Sequence, residues 1–185
     1  MRLDHIAYRV RDRKAAAKFF MEALGYKVQE EFQLDFADGT FTDCIALEPP
    51  ERIPDSPWLA RVPAYLRVME GTALIQPVLH VPPELFVSDG KPGSIVSEWV
   101  TSRNGVGGVH HMAYQVPDVQ NTMDEWRAKG WAEFATDQPI TCPGLTQVFT
   151  KPSAVTGIIY EFITRDGRGF CKDNVKALME STKGL

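Results

Sequence analysis

Residues 3–10, LDHIAYRV, and residues 109–116, VHHMAYQV, are two copies of one strand-like pattern, and they decide how this chain folds. The copies match at His, Ala, Tyr and Val, and they place His5 and His111 at corresponding positions 106 residues apart. Similarity at such a spacing indicates a duplicated structural unit. We therefore expect two similar halves that share one core.

Each copy is followed by the same order of predicted elements. A helical pattern comes first, DRKAAAKFFMEALG (12–25) or DVQNTMDEWRAKG (118–130), with Asp as N-cap and Gly at the end. Three strand-like segments then follow, at about 26–36, 41–47 and 72–79 in the first half and at about 131–135, 145–150 and 157–164 in the second. Each half is thus predicted to be β-α-β-β-β, which makes the fold class α+β.

The predicted domain organisation follows these repeats. Residues 1–81 form the first module, with a proline-rich insertion at 49–70, and residues 107–185 form the second module plus a C-terminal helix. Residues 82–106 are expected to connect the modules and to contain a short helix around 94–103. Neither module could bury its sheet alone, whereas two together can close a shared core.

Composition excludes several classes of function. The chain has 185 residues and a net charge of −4, so it lacks the basic surface of a nucleic-acid-binding protein. No apolar stretch approaches the roughly 20 residues that span a bilayer, and no signal-peptide pattern is present. The cysteines at positions 44, 142 and 171 form no CxxC pattern and no even set. We expect three free thiols and a cytoplasmic location.

The two-residue period of a strand separates the adjacent histidines His110 and His111. His5 and His111 fall on equivalent faces, which are smaller and more polar than the opposite faces and suit the lining of a cavity. His110 falls on the opposite face, in the position that Asp4 holds in the first copy. The pattern therefore predicts that His111, rather than His110, is the partner of His5 in a shared site.

Glu161 is a single acid within the apolar run TGIIYEFIT. Because an unpaired buried carboxylate is costly, it must lie at an exposed edge, pair with Arg165 or Arg9, or bind a metal with the two corresponding histidines. Two histidines and one carboxylate with open coordination positions form the facial triad of non-haem Fe(II) oxygenases.

These paired modules resemble the vicinal oxygen chelate superfamily over essentially the whole chain. That superfamily includes glyoxalases, methylmalonyl-CoA epimerases, extradiol dioxygenases and 4-hydroxyphenylpyruvate dioxygenase. The resemblance implies two βαβββ modules that form one incomplete barrel around a metal site. It also implies a small-molecule substrate rather than a nucleic acid or a membrane as partner, and association into a homodimer is an open expectation.

Two segments are similar to 4-hydroxyphenylpyruvate dioxygenases in particular. Residues 147–182, QVFTKPSAVTGIIYEFITRDGRGFCKDNVKALMEST, resemble the C-terminal segment of that family, and residues 105–113, GVGGVHHMA, resemble its G-x-G-V-Q-H-I-A pattern. The resemblance implies that His5, His111 and Glu161 bind the metal. Fe(II) is the expected ion, although Zn, Mn, Co and Ni also suit such ligands.

The same resemblance assigns residues to the substrate pocket. Gln147 would be a polar catalytic residue that also contacts substrate, and Phe149 and Phe170 would be aromatic walls. Ile75 stands where the family has Asn, so the substrate is expected to be a small 2-oxo acid or a related bidentate compound rather than a defined phenolic acid. The family's additional N-terminal double module has no counterpart in these 185 residues.

Two other functions remain open from the sequence. A metal-dependent epimerase or isomerase of the methylmalonyl-CoA epimerase or glyoxalase type would need a fourth protein ligand on the last strand of the first module. Gln76 would supply that ligand in one register, whereas alignment on Pro77 puts Ala73 there and leaves three ligands. A non-catalytic small-molecule binding protein is the second alternative. We favour the dioxygenase.

Overall fold

A computed structural model describes residues 1–49, 82–166 and 169–185 of the chain. The described strands are β1 (Arg2–Val10), β2 (Lys27–Asp35), β3 (Phe41–Glu48), β4 (Glu84–Gly90), β5 (Gly107–Gln115), β6 (Ile140–Cys142), β7 (Leu145–Phe149) and β8 (Ile159–Arg165). The described helices are α1 (Arg13–Leu24), α2 (Ile95–Ser102), α3 (Val119–Ala128) and α4 (Lys172–Ser181).

The described strands form one curled eight-stranded sheet in the order β2-β3-β4-β1-β5-β8-β7-β6. β1 and β5, the two copies of the repeated pattern, lie side by side and antiparallel at its centre. Each is flanked on its other side by a parallel strand, β4 beside β1 and β8 beside β5. The sheet is therefore built from two equivalent halves, and the predicted α+β fold class is confirmed.

The helices separate into an outer and an inner pair. α1 and α3 follow the repeated strands, and the side chains of Asp12 and Asp118 cap them as predicted, accepting from Ala15 N at 3.0 Å and from Asn121 N at 2.8 Å. These helices pack on the outer face of the sheet. α2 and α4 lie on the inner face, where Trp99 and Val175 join one apolar cluster with Ala7 of β1. The inner helices thus cover the face that carries the predicted site.

The strand that completes the first half differs from the prediction. The segment 72–79, with Ala73, Ile75 and Gln76, lies outside the described residues, as does the insertion from residue 50 onward. The strand beside β1 is β4, in the stretch that sequence analysis assigned to the connection. Both faces of β4 are covered, since Phe86 packs inward and Leu85 and Val87 pack outward. Such a strand shows no polar–apolar alternation, so the pattern did not reveal it.

Two further elements refine the prediction. The strand predicted at 131–135 is reduced to a bridge between Phe134 and Thr150. The edge strand is β6, and Pro139 just before it cannot donate to a ladder. The helix predicted around 94–103 is confirmed as α2, and the C-terminal helix is confirmed as α4. Cys171 is the N-cap of α4.

None of the helices in the described part of the chain is long and apolar enough to cross a membrane. All three cysteines are free thiols.

Gly107, the first residue of β5, is held where only glycine fits. Its φ is +87°, and a Cβ atom there would collide with the backbone carbonyl oxygen of Arg9 on β1. The absence of a side chain therefore allows the two central strands to approach each other next to the cavity.

We predict that Gly107→Ala destabilises the fold more than a matched change at Gly39. Gly39 also has a positive φ, +77°, but its Cβ would meet nothing within 4 Å. Gly39→Ala should cost about 1–2 kcal/mol from the backbone conformation alone, and Gly107→Ala should cost at least about 1 kcal/mol more because the backbone must shift. Urea unfolding followed by circular dichroism measures both, and equal losses would contradict this account.

Candidate metal centre

Three buried side chains from the centre of the sheet converge at one point. His5 Nε2 lies 3.2 Å from Glu161 Oε2, His111 Nε2 lies 3.1 Å from the same oxygen, and the two Nε2 atoms are 3.3 Å apart. The residues come from β1, β5 and β8, which are adjacent in the sheet. The structure therefore brings together the three residues that the sequence predicted as metal ligands.

The spacing of these three atoms fits a metal ion. Ligands bonded at about 2.1 Å and separated by angles of about 90–109° are about 3.0–3.4 Å apart, and the three observed distances fall in that range. Glu161 Oε2 is buried and makes no hydrogen bond, so an acceptor atom is left aimed at the space between the imidazoles. Two histidines and a carboxylate on one side of an ion leave its other positions open.

The Glu161 carboxylate and the neighbouring imidazoles shift one another's pKa values. Burial by itself would lower the pKa of His5, but the Glu161 charge and the contacts with Asp4 and Glu161 outweigh it and raise that pKa to about 9. Burial would likewise raise the pKa of Glu161, yet the neighbouring imidazoles hold it well below its usual range. Burial lowers the pKa of His111. The site thus favours a carboxylate that faces a positive charge.

The alternatives for Glu161 are excluded by its surroundings. Its side chain is fully buried, so it does not lie at an exposed edge. Arg165 pairs instead with Asp4 Oδ1 at 2.9 Å and with Glu84 Oε2 at 2.8 Å. Within the described residues, neither Arg165 nor Arg9 makes an ion pair with Glu161, and its charge faces only the two histidines.

Both histidines are contacted by the residue that precedes them. β1 carries an extra residue between Leu3 and His5, and β5 carries one between Val109 and His111, so Asp4 and His110 occupy corresponding bulges. Asp4 Oδ1 accepts from His5 Nδ1 at 2.9 Å, and His110 Nδ1 lies 2.8 Å from His111 Nδ1. A partner on Nδ1 fixes the ring so that Nε2 can face a metal.

The bulge corrects the predicted position of His110. Strict alternation placed this side chain on the face under the outer helix, but a bulge interrupts alternation and redirects a side chain. His110 is buried and lines the same cavity as His111. Burial, reinforced by the charges of Arg9 and His111, lowers the pKa of His110 well below its ordinary value. The predicted correspondence with Asp4 is confirmed.

Gln147 supports the carboxylate of Glu161. Its Nε2 donates to Glu161 Oε1 at 2.6 Å, and its Oε1 accepts from Asn174 Nδ2 at 3.2 Å. Because both ends of the amide are engaged and buried, Gln147 orients Glu161. Asn174 lies on α4, so the C-terminal helix is tied to the site. The sequence pattern gave no indication of this role of Asn174.

The two aromatic residues predicted as pocket walls stand beside the histidines. The Phe149 ring centroid is 4.6 Å from that of His111, and the Phe170 centroid is 5.1 Å from that of His5. Both line one cavity, of about 30 Å³. Arg9, which shares the polar face of β1 with His5, also belongs to this lining, as do Phe86 and Ser88 of β4, which the sequence pattern did not identify.

Phe86 occupies the position that a fourth ligand would need. In the second half, Glu161 on β8 pairs with Ala113, two residues after His111. In the first half, Phe86 on β4 pairs with Ala7, two residues after His5. Phe86 is therefore the counterpart of Glu161. Within the described residues, no other His, Cys, Asp or Glu joins the group of three.

Comparison with known proteins identifies the relatives of this fold. A selenomethionyl methylmalonyl-CoA epimerase matches with a TM-score of 0.62 and 20% identity, over 90% of this chain and 97% of that one. A triple mutant of 4-hydroxymandelate synthase from Streptomyces coelicolor matches with a TM-score of 0.70 and 18% identity, over 98% of this chain and 53% of that one. This chain thus spans about half the length of the synthase.

A hypothetical protein from Bacillus halodurans matches with a TM-score of 0.60 and 17% identity, over 92% of this chain and 98% of that one. No protein of curated function matches. The sequence profile of the Glyoxalase/Bleomycin resistance protein/Dioxygenase superfamily matches residues 2–156. The duplicated sheet and this match together show that the chain belongs to the Glyoxalase/Bleomycin resistance protein/Dioxygenase superfamily.

Proposed function

We propose that this protein is a non-haem Fe(II)-dependent dioxygenase that acts on a small 2-oxo acid or a related bidentate substrate. The observation that carries the proposal is the number of protein ligands. His5, His111 and Glu161 form a group of three, and Phe86 stands where a fourth ligand would come from. Such a site leaves positions for two substrate oxygens and for O2. The resemblance to 4-hydroxyphenylpyruvate dioxygenases supports the same reaction class.

The residues of the chain have distinct tasks in this proposal. His5, His111 and Glu161 would hold the ion, and a bound Fe(II) would supply the electron transfer to O2 that no side chain here can provide. Asp4 and His110 fix the two imidazole rings through Nδ1. The protein thereby sets the geometry before substrate enters.

The cavity surface excludes water and orients the substrate. Phe149 and Phe170 flank the two histidines, and Phe86 contacts Phe170 with ring centroids 4.8 Å apart. α4 covers this space with Val175, Leu178 and Met179. Apolar walls around a few fixed polar groups are typical of small-molecule sites. They would keep reactive species away from solvent.

The epimerase alternative finds no free carboxylate in the described cavity lining. Moving a proton at carbon requires an acid or base within reach of the substrate, and in this lining that group would be His110, whose Nε2 has no partner. Among the described residues that line the cavity, Glu161 is the only carboxylate, and the two histidines and Gln147 engage it. Because the fold is similar to that of methylmalonyl-CoA epimerase, the experiments below must distinguish epimerisation from oxygenation. The buried three-residue group argues against a purely sequestering protein.

The first prediction concerns metal binding. Glu161→Ala and His111→Ala should abolish binding of Fe(II), because each removes one of three ligands. His110→Gln should retain near-full occupancy at saturating metal, since a Gln oxygen can still accept from His111 Nδ1. Metal content of anaerobically loaded protein, measured by mass spectrometry, tests this. Equal loss of metal in the His110 and His111 variants would refute the assigned ligand set.

Gln147 should affect the metal without binding it. Gln147→Ala removes the donor to Glu161 Oε1, so we expect metal affinity to fall by about 10–100-fold while full occupancy is still reached at high metal. A competition titration against a chromophoric chelator gives the affinity. Asn174→Ala, which loosens Gln147 alone, should give a smaller loss. A complete loss of metal in Gln147→Ala would mean that Gln147 is a ligand.

The reaction class is tested by two assays on one preparation. Fe(II)-loaded protein should consume O2 and release CO2 in equal amounts when a 2-oxo acid that fits the cavity is supplied. Glu161→Ala should lose this activity. The second assay follows deuterium exchange from solvent into an acyl-CoA. Exchange without any oxygen uptake across a panel of 2-oxo acids would reject the dioxygenase in favour of the epimerase.

A further inference from the structure

Arg9 is a buried cation that has no counter-ion among the described residues. It lies on β1, four residues after His5, and lines the same cavity with 3% of its surface exposed. Nη2 donates to Thr182 Oγ1 at 3.2 Å, whereas Nη1 is buried with no hydrogen-bond partner. No described acid forms an ion pair with it. Because burying an unpaired charge is costly, we infer that the Arg9 guanidinium is there to bind a ligand.

A second donor without a partner lies in the same cavity. His110 Nε2 is buried and makes no hydrogen bond. If His111 binds a metal through Nε2, its Nδ1 carries a hydrogen and donates to His110 Nδ1 at 2.8 Å. The proton of the neutral His110 ring must then be on Nε2. This atom is therefore a donor, not an acceptor.

Trp99 lies next to both of these residues. The Arg9 guanidinium carbon lies 5.9 Å from the centre of the Trp99 ring, and the His110 ring centroid lies 5.4 Å from the Trp99 ring centroid. We name Arg9, His110 and Trp99 the distal subsite. It presents two unused hydrogen-bond donors and one positive charge, and it leaves no acceptor free. The complementary ligand group is an oxyanion.

The distal subsite adjoins the candidate metal centre on one side and extends along β1 on the other. His110 Nδ1 lies 2.8 Å from Nδ1 of the candidate ligand His111. Four residues of extended strand separate the Cα atoms of His5 and Arg9 by about 13 Å. The cavity, whose lining also includes Ala7, Phe86 and Phe149, thus offers a chelating centre and an oxyanion site next to it.

We propose that the substrate is a dicarboxylic 2-oxo acid whose second carboxylate binds Arg9 and His110. This inference rests on the proposed function, because the 2-oxo acid end would chelate the metal. The two oxygens of a carboxylate can accept from Arg9 Nη1 and from His110 Nε2, and the single charge of the carboxylate matches that of Arg9. Burial lowers the pKa of Arg9 to about 9, which leaves the guanidinium charged at neutral pH.

The test compares acids that differ only at the distal end. Isothermal titration calorimetry on zinc-loaded protein, which binds without turnover, would use 2-oxoadipate, 2-oxopimelate and 2-oxosuberate. Each is compared with the 2-oxo monoacid of the same carbon count. At the best-fitting length the diacid should bind about tenfold more tightly or better, equivalent to about 1.4 kcal/mol. Equal dissociation constants at every length would overturn the proposal.

Substitution of Arg9 should remove this preference and nothing else. In Arg9→Gln the diacid should lose its advantage of about tenfold, while the monoacid keeps its dissociation constant within about twofold. Arg103→Gln is the matched control, because that exposed arginine lies 4.7 Å from the same Trp99 ring centre but outside the cavity lining. It should keep the full preference. Loss of preference in both variants would contradict the assignment to Arg9.

The stability of an Arg9 variant distinguishes a ligand-binding role of Arg9 from a structural one. Removing an unpaired buried charge should leave the melting temperature of Arg9→Met unchanged or higher. A lower melting temperature, with both acids weakened equally, would make Arg9 a structural residue and overturn the proposal.

Failure of the proposed function has a different signature. If both acids bind equally well with and without zinc, chelation is rejected. If Arg9→Gln still abolishes the preference for the diacid in that case, the distal subsite is supported. Zinc-dependent binding of both acids with no diacid preference would support chelation and reject the subsite.

Discussion

The convergence of two imidazoles and one carboxylate in the middle of the sheet is the constraint on which the rest of this structure depends. Burying Glu161 beside His5 and His111 is tolerable only while their charges compensate one another and every remaining ring or carboxylate atom has a partner. Asp4, His110 and Gln147 supply those partners. The inner helices then exclude water from the group.

The two halves are alike where they position the histidines and unlike where chemistry requires a difference. The bulges before His5 and His111 recur in both halves. The counterparts on the flanking strands differ, since Glu161 in one half corresponds to Phe86 in the other. This loss of symmetry converts a duplicated scaffold into a site with three candidate ligands on one side and open space on the other.

Polarity changes along the cavity in a way that favours a ligand with two different ends. The carboxylate of Glu161 lies at the candidate metal centre, and the guanidinium of Arg9 lies further along β1. Aromatic and aliphatic side chains separate them. A ligand that chelates at one end and carries an anion at the other would satisfy both ends, which neither a neutral nor a purely apolar molecule would do.

The sequence by itself determined the duplication, the α+β class, the caps of α1 and α3 and the correspondence of His5 with His111, because repeat spacing and strand periodicity are local properties. It left three environments open for Glu161, whose role as a ligand came from the resemblance to the superfamily. Tertiary structure decided the rest. Only strand pairing showed that β4 at 84–90 completes the first half and that Phe86 faces the site, since a strand buried on both faces has no periodic signature. Only the bulge brought His110 into the cavity, and only burial with no counter-ion among the described residues distinguished Arg9, because register and desolvation arise when distant segments pack together.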